Sequence, residues 1–320
     1  DADGDSDAGT AYIVFGASGG FSASMSLSAL NGSNGFSVDG HDPGDNLGRS
    51  VSSAGDINGD GIDDVIIGAY LDDPNGNGAS GTSYVVFGST AGFGANRNVF
   101  DLNGSNGFAI DGVSVDDRSG LPVASAGDIN GDGVDDLFIG AHQGDPNGVS
   151  NAGEGYIVFG TTSGFSSRLQ LSALDGSNGF TLNGESDSDF AGLSVNGAGD
   201  VNGDGIDDLI IGAFGHDVGG NANAGASYIV YGTTTGFATS FDLSSLNGTN
   251  GFRVEGLAAG DVIGGSVSSA GDINGDGVED LLISANGANG TAGGAYVVFG
   301  GSAIGTSGSF ELSTLDGTNG

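Results

Sequence analysis

Short apolar runs recur along this chain at a nearly fixed interval. Within one stretch, "VIIGA" at 65–69 and "YVVFG" at 84–88 are continuously apolar, as expected of strands covered on both faces. "SVSSAG" at 50–55 carries small residues instead, and "GFAIDG" at 107–112 adds a fourth β-rich run. Gly, Asn and Asp bound each of them. The pattern therefore predicts four short strands, A to D in chain order, joined by turns and by one long connection between C and D.

The unit repeats. "YVVFG" and its variants start at Tyr12, Tyr84, Tyr156, Tyr228 and Tyr296, 72 residues apart until a last step of 68. "LNGSNG" and its variants start at Leu30, Leu102, Leu174, Leu246 and Leu315, and an acidic motif starts at Asp56, Asp128, Asp200 and Asp272. Four strands in a unit of this size are the signature of a propeller blade. The expected fold is all-β: a β-propeller array of four blades, each with four antiparallel strands and an acidic loop, plus a partial blade. The divisions are 1–40 (strands C and D of the partial blade), 41–112, 113–184, 185–256 and 257–320, the last without strand D. Small residues in strand A suit an inner strand where a blade narrows; bulky B and C fill the middle. There are four each of A, B and D but five of C, so the ring does not close neatly. Unpaired edges invite neighbouring β-structure, either the rest of a larger surface protein or identical subunits joined head to tail into a filament.

Composition narrows the class. Of 320 residues 68 are Gly and 37% are hydrophobic, there is no Lys, and Glu occurs only at Glu154, Glu185, Glu255, Glu279 and Glu311. Helix formers are thus scarce and a globular β core is affordable in apolar material. The formal charge of −36, with five arginines as the only cations, argues against nucleic acid or an anionic membrane surface as partner and points to cations. No run approaches the roughly 20 apolar residues of a membrane helix, so no membrane insertion is expected. The first ten residues have neither the basic nor the apolar part of a signal peptide. Without Cys there are no disulfides or thiolate metal sites.

The acidic motif reads "DINGDGIDD" at 56–64. Side-chain oxygens fall at its positions one, three, five and nine (Asp56, Asn58, Asp60, Asp64), and Ile62 at position seven can offer its carbonyl. Gly61 permits the sharp turn that would wrap them around one hard cation, and six or more oxygens at roughly 2.3–2.6 Å suit Ca²⁺. The counterparts are Asp128, Asn130, Asp132, Val134 and Asp136; Asp200, Asn202, Asp204, Ile206 and Asp208; and Asp272, Asn274, Asp276, Val278 and Asp280. About four Ca²⁺ per chain are expected. An EF-hand is disfavoured because position twelve is Ile67 and not Glu, and the flanks are strands; a dockerin-like reading fails likewise. The bland alternative, a solvated Asp-rich turn, does not account for four copies in register.

On these motifs the units resemble FG-GAP repeats, the blades of integrin α-subunit propellers and of many large bacterial surface proteins. The resemblance implies calcium in a β-hairpin loop between strands A and B. The Phe-Gly of that family before strand A is here Leu47-Gly48, Ser119-Gly120, Ala191-Gly192 and Ile263-Gly264, and its Gly-Ala-Pro becomes "GAY", "GAH", "GAF" and "SAN". The function expected is a calcium-stabilised structural or adhesion module, extracellular or on a cell surface, and not an enzyme. The alternative is a carbohydrate-binding or hydrolytic propeller whose loop face takes a glycan or protein ligand.

Other signals read as turns and surface. Gly16-Ala17-Ser18-Gly19-Gly20 fits a nucleophile elbow, and Gly76, Gly78 and Gly81 fit G-x-G-x-x-G, but neither has a helix to follow. His41, His142 and His216 do not recur together and are expected at the surface. The sequons at Asn31, Asn103, Asn247 and Asn289 matter only in a glycosylating host.

Overall fold

The computed structural model describes residues 6–320; the first five residues of the expected partial blade, and the side chain of the Asn289 sequon, lie outside the described residues. The fold is all-β, and each expected run forms a strand. The partial unit supplies β1 (Thr10–Val14) and β2 (Gly35–Asp39). The next three units supply β3 (Ser50–Gly55), β4 (Asp64–Ala69), β5 (Thr82–Val86), β6 (Asn96–Asn98) and β7 (Gly107–Asp111); β8 (Val123–Gly127), β9 (Asp136–Ala141), β10 (Glu154–Val158), β11 (Arg168–Gln170) and β12 (Gly179–Asn183); and β13 (Ser194–Gly199), β14 (Asp208–Ala213), β15 (Ala226–Val230), β16 (Ser240–Asp242) and β17 (Gly251–Glu255). The last gives β18 (Ile263–Gly271), β19 (Asp280–Ala285), β20 (Gly294–Val298) and β21 (Ser309–Glu311).

Strands A to D pair antiparallel in chain order, as β3-β4-β5-β7 with Val51 opposite Ile67, Ile67 opposite Tyr84 and Tyr84 opposite Ala109. The sequence pattern misses a fifth strand. Inside each long C-to-D connection three residues extend, leave their own sheet and pair parallel with strand D of the sheet before: β6 with β2, β11 with β7, β16 with β12, β21 with β17. The three middle sheets therefore have five strands, while the first holds β1-β2-β6 and the last β18-β19-β20. These two end sheets do not pair with each other, and the array is open among the described residues.

The core lies between sheets. One apolar cluster joins Ile66, Val85 and Phe108 of one unit to Leu137, Ile139 and Val158 of the next, and the other junctions repeat this. In three of the connections a phenylalanine stacks on the strand-D phenylalanine of the preceding sheet: Phe93 on Phe36 at 4.3 Å, Phe165 on Phe108 and Phe237 on Phe180 at 4.2 Å. The A strands run alongside one another, and Ser50 Oγ accepts the Val123 N–H at 3.0 Å where β3 meets β8. That agrees with an inner strand of small residues.

Close approach explains the glycines of "IGA". A methyl on Gly68 would lie 2.0 Å from the Gly120 carbonyl oxygen of the next unit, and one on Gly140 2.2 Å from that of Gly192. Gly48, Gly120, Gly192 and Gly264, which stand at the Gly of Phe-Gly, all have φ between +78° and +93°, a conformation that disfavours side chains. Their partners Leu47, Ser119, Ala191 and Ile263 are all buried, so the apolar half of that pair is filled by other side chains without exposing it. The expected turn at Ala17–Gly20 is present, closed by the Gly20 N–H on the Ala17 carbonyl at 3.0 Å. We expect Gly68→Ala to destabilise the chain by about 1–3 kcal/mol through this backbone collision; denaturant unfolding identical to that of the parent would reject it.

Candidate metal centres

Each acidic loop is the turn between strands A and B, and its side chains hold it closed. In the first, the Asp60 N–H donates to both Asp56 Oδ1 and Asn58 Oδ1 at 2.9 Å, so those two oxygens converge. The Gly61 N–H donates to Asp56 Oδ2 at 2.8 Å and the Ile62 N–H to Asp60 Oδ1 at 3.0 Å. The second loop repeats this with Asp132 N–H on Asp128 and Asn130, and Val134 N–H on Asp132. So does the fourth, with Asp276 N–H on Asp272 and Asn274, and Val278 N–H on Asp276. In the third, Asp204 N–H reaches Asp200, Ile206 N–H reaches Asp204, and Asn202 Nδ2 lies 3.4 Å from Asp208.

Position nine behaves differently from the rest. Asp64, Asp136, Asp208 and Asp280 are at most 1% exposed although each opens a strand. One carboxylate oxygen accepts the N–H of the glycine that ends "YVVFG" (Gly88, Gly160, Gly232, Gly300) at 2.7–2.9 Å. The other accepts the position-two N–H, from Ile129 at 3.1 Å, Val201 at 3.0 Å and Ile273 at 2.9 Å. Burial, with two nearby aspartates adding to it, pushes Asp64 up to about 7 and Asp136 and Asp208 up to about 8. Buried carboxylates beside like charges are costly unless a cation joins them. The donor set is all oxygen, hard and anionic, which fits a hard divalent ion.

Among the described residues no three His, Cys, Asp or Glu side chains already converge on one point, because the loop carboxylates face the loop's own amides. Open grooves of about 570 and 500 Å³ flank the second and fourth loops, exposing Asn130 and Asp132, and Asn274 and Asp276.

Two loop positions that sequence reasoning passed over look outward. At position two Ile57, Ile129 and Val201 are fully buried against the following sheet. At position eight Asp135 Oδ2 accepts the Asp56 N–H of the preceding loop at 2.8 Å, and Asp207 Oδ2 the Asp128 N–H at 2.9 Å. The fourth loop has Glu279 there, and it is its backbone N–H that reaches the Asp200 carbonyl, at 3.2 Å. The repeated double Asp was the available signal.

The opposite end of the sheets, made of B-to-C and D-to-A loops, carries the histidines. His41 is exposed as expected, but His142 and His216 are buried, 8% and 6% exposed. Each is held by the D-to-A loop: His142 Nδ1 lies 3.2 Å from the Leu121 carbonyl and His216 Nδ1 2.8 Å from Asp189 Oδ2. Burial pulls the His142 ring down from its ordinary value. Burial also opposes charge on His216, but the bond to Asp189 and the charges of Asp189 and Glu185 outweigh it and raise the ring. A raised folded value means that the stabilisation is complete below the unfolded value near 6.5 and is lost as pH rises through the folded one. His216→Gln should therefore cost more stability at pH 5.5 than at pH 9, read from melting curves; an equal cost at both would contradict the ion pair.

Comparison with known proteins follows the same periodicity. The FG-GAP repeat family matches residues 47–86, 122–158, 191–230 and 264–298. Integrin alpha-5 of Xenopus laevis is 32% identical over 175 residues, 53% of this chain and 15% of that protein. Integrin alpha-2 of Bos taurus is 34% identical over 181 residues, 55% of this chain and 14% of that protein. Phosphatidylinositol-glycan-specific phospholipase D of Bos taurus is 32% identical over 167 residues, 52% of this chain and 18% of that protein. The chain thus aligns with less than a fifth of each of these relatives. FG-GAP repeats commonly bind Ca²⁺ through aspartate loops.

Proposed function

We propose that this chain, which carries four FG-GAP repeats, is a calcium-stiffened structural and adhesive module of a larger bacterial-type surface protein, working outside the cell. The observation that carries the reading is the fourfold loop with its buried position-nine carboxylate. Asp56, Asn58, Asp60 and Asp64, the Ile62 carbonyl and their counterparts would hold one Ca²⁺ each. When bound, the ion supplies positive charge that offsets carboxylate repulsion. Extracellular calcium is abundant enough to fill sites of micromolar to millimolar affinity. Strands β1 and β20 each leave one edge unpaired among the described residues, and head-to-tail pairing of such edges between copies would extend the module into a filament.

Equilibration in millimolar Ca²⁺ should load about four ions per chain and raise the melting temperature, since an ion that binds only the folded state must stabilise it. Asp60→Ala should remove one ion; unchanged stoichiometry would remove Asp60 from the ligand set, and no bound calcium in the parent would end the proposal.

We further propose that the chain has no catalytic turnover, because its recurring acids serve the loops and His142 and His216 are held by backbone or by Asp189. Purified chain assayed on glycosides, esters and a phosphatidylinositol-glycan should release no product. Hydrolysis lost on His142→Ala would establish the loop-face alternative.

A further inference from the structure

Each D-to-A loop crosses the start of strand C of its own unit, and one of the four crossings differs in chemistry from the others. A single backbone bond makes the crossing: the N–H of Leu47, Ser119, Ala191 or Ile263 donates to the carbonyl of Ala8, Ser80, Ala152 or Ala224, at 2.9–3.1 Å. The two segments approach equally closely in all four. A methyl on the glycine after the acceptor, Gly9, Gly81, Gly153 or Gly225, would lie 2.0–2.3 Å from the carbonyl oxygen of the donor residue. The backbone is therefore the same at each crossing, and only the side chains distinguish them.

At the first crossing Ala8 meets Leu47, at the third Ala152 meets Ala191, and at the fourth Ala224 meets Ile263. The second brings Ser80 to Ser119. Ser83, three residues on in β5, adds another hydroxyl, with its Oγ 2.9 Å from where a methyl on Gly120 would lie. The third crossing has Gly155 in that place, and there the Phe138 ring fills the space, 2.6 Å from where a methyl on Gly155 would lie. Ser80, Ser83 and Ser119 are at most 1% exposed, and none of their hydroxyls has a hydrogen-bond partner in the protein. Ser227, the counterpart of Ser83, is likewise buried and unpartnered, but Ile263 stands beside it in place of Ser119. Thr82 Oγ1 is unpartnered too, on the other face of β5.

A buried hydroxyl without a partner is costly, and three at one crossing call for something that pairs with them. Each hydroxyl is both donor and acceptor. A cation would leave their hydrogens unsatisfied and an anion their lone pairs, whereas a water molecule, which makes about three bonds in such a place, satisfies both. Room follows from the comparison of crossings. With the backbones equally close, Ser119 leaves free the space that the longer Ile263 side chain takes at the fourth crossing, and a water takes up about 30 Å³.

We propose that Ser80, Ser83 and Ser119 form the binding site of an internal water that ties the start of β5 to the loop leading into β8. Ser119 stands at the Phe of Phe-Gly, so a position that is apolar at the other three crossings is here the wet point of the array. The site requires nothing of the calcium reading.

Oxygen-17 relaxation dispersion of the solvent, which counts long-lived internal waters, tests this on the whole chain. Ser119→Ile, which copies the fourth crossing, should lose about one such water relative to the parent. The smaller double change Ser83→Ala with Ser119→Ala, which copies side chains found at the first and third crossings, should lose it as well and guards against a fold upset by the larger residue. Ser227→Ala, at the lone hydroxyl, should lose none. The difference should be the same with calcium and with a chelator. An equal count in the parent and in both Ser119 variants would overturn the proposal. A matching loss in Ser227→Ala would do so too, and a loss seen only with calcium would assign the water to the ion instead.

Discussion

The contact between an acidic loop and the sheet that follows it is the constraint to which the rest of the molecule answers. A four-stranded blade has two apolar faces and cannot bury either alone, so every core cluster draws on two successive units. The loop divides its nine positions between two tasks. Positions one, three and five keep their oxygens for the turn itself and position nine gives one of its own to the glycine after strand C, while two and eight face the neighbour: one as a buried side chain, the other as an acceptor for an amide. Positions four and six are glycines with φ of +68° and +86° in the first loop, and they let the chain turn sharply enough for the two tasks not to collide. The wording D-I-N-G-D-G-I-D-D follows from that division.

Much of this was legible in the sequence. Strands A to D announce themselves because each is a run of similar character bounded by turn residues and repeated at 72 residues. The fifth strand does not: "NRN", "RLQ", "SFD" and "SFE" recur at nearly the same interval but share no polarity, and three residues are too few to carry a pattern. What fixes it is the preceding strand D, whose free edge takes three backbone groups whatever the side chains. The histidines were misplaced for a related reason. A residue in a loop is ordinarily exposed, but here the D-to-A loop of one unit folds over the B-to-C loop and buries His142 and His216 where a polar acceptor is waiting. The oxygen positions of the acidic loop were readable because the spacing itself encodes them; the roles of positions two and eight needed partners in another unit, such as Asp135, 79 residues from Asp56.

The charge of −36 has a similar logic. A β-rich chain with few cations must leave its acids in water or satisfy them with backbone donors, and the loop aspartates use donors that a tight turn leaves unpaired. Position nine carries this furthest, giving up solvent altogether for two amides. An amide offsets only part of the cost of a buried charge, which is why a group so placed sits high in its protonation equilibrium and why a divalent ion would alter its surroundings more than those of an exposed carboxylate.

That placement also ties the loops to one another. Gly160 and Thr161 are neighbours in the chain: the first donates its N–H to Asp136 of its own loop and the second to the Ile57 carbonyl of the loop before. Gly232 and Thr233 do the same for Asp208 and Ile129, and Gly300 and Gly301 for Asp280 and Val201. A shift of the position-nine carboxylate is thus felt three bonds along the backbone by the buried position-two residue of the preceding loop. Whatever fixes one acidic loop, whether its own amides or an ion, therefore stiffens the junction behind it as well as its own blade. In a linear array with nearest-neighbour coupling such stiffness accumulates from junction to junction. The loops are in this sense joints between blades, and the turn from strand A to strand B is the part of the repeat least free to vary.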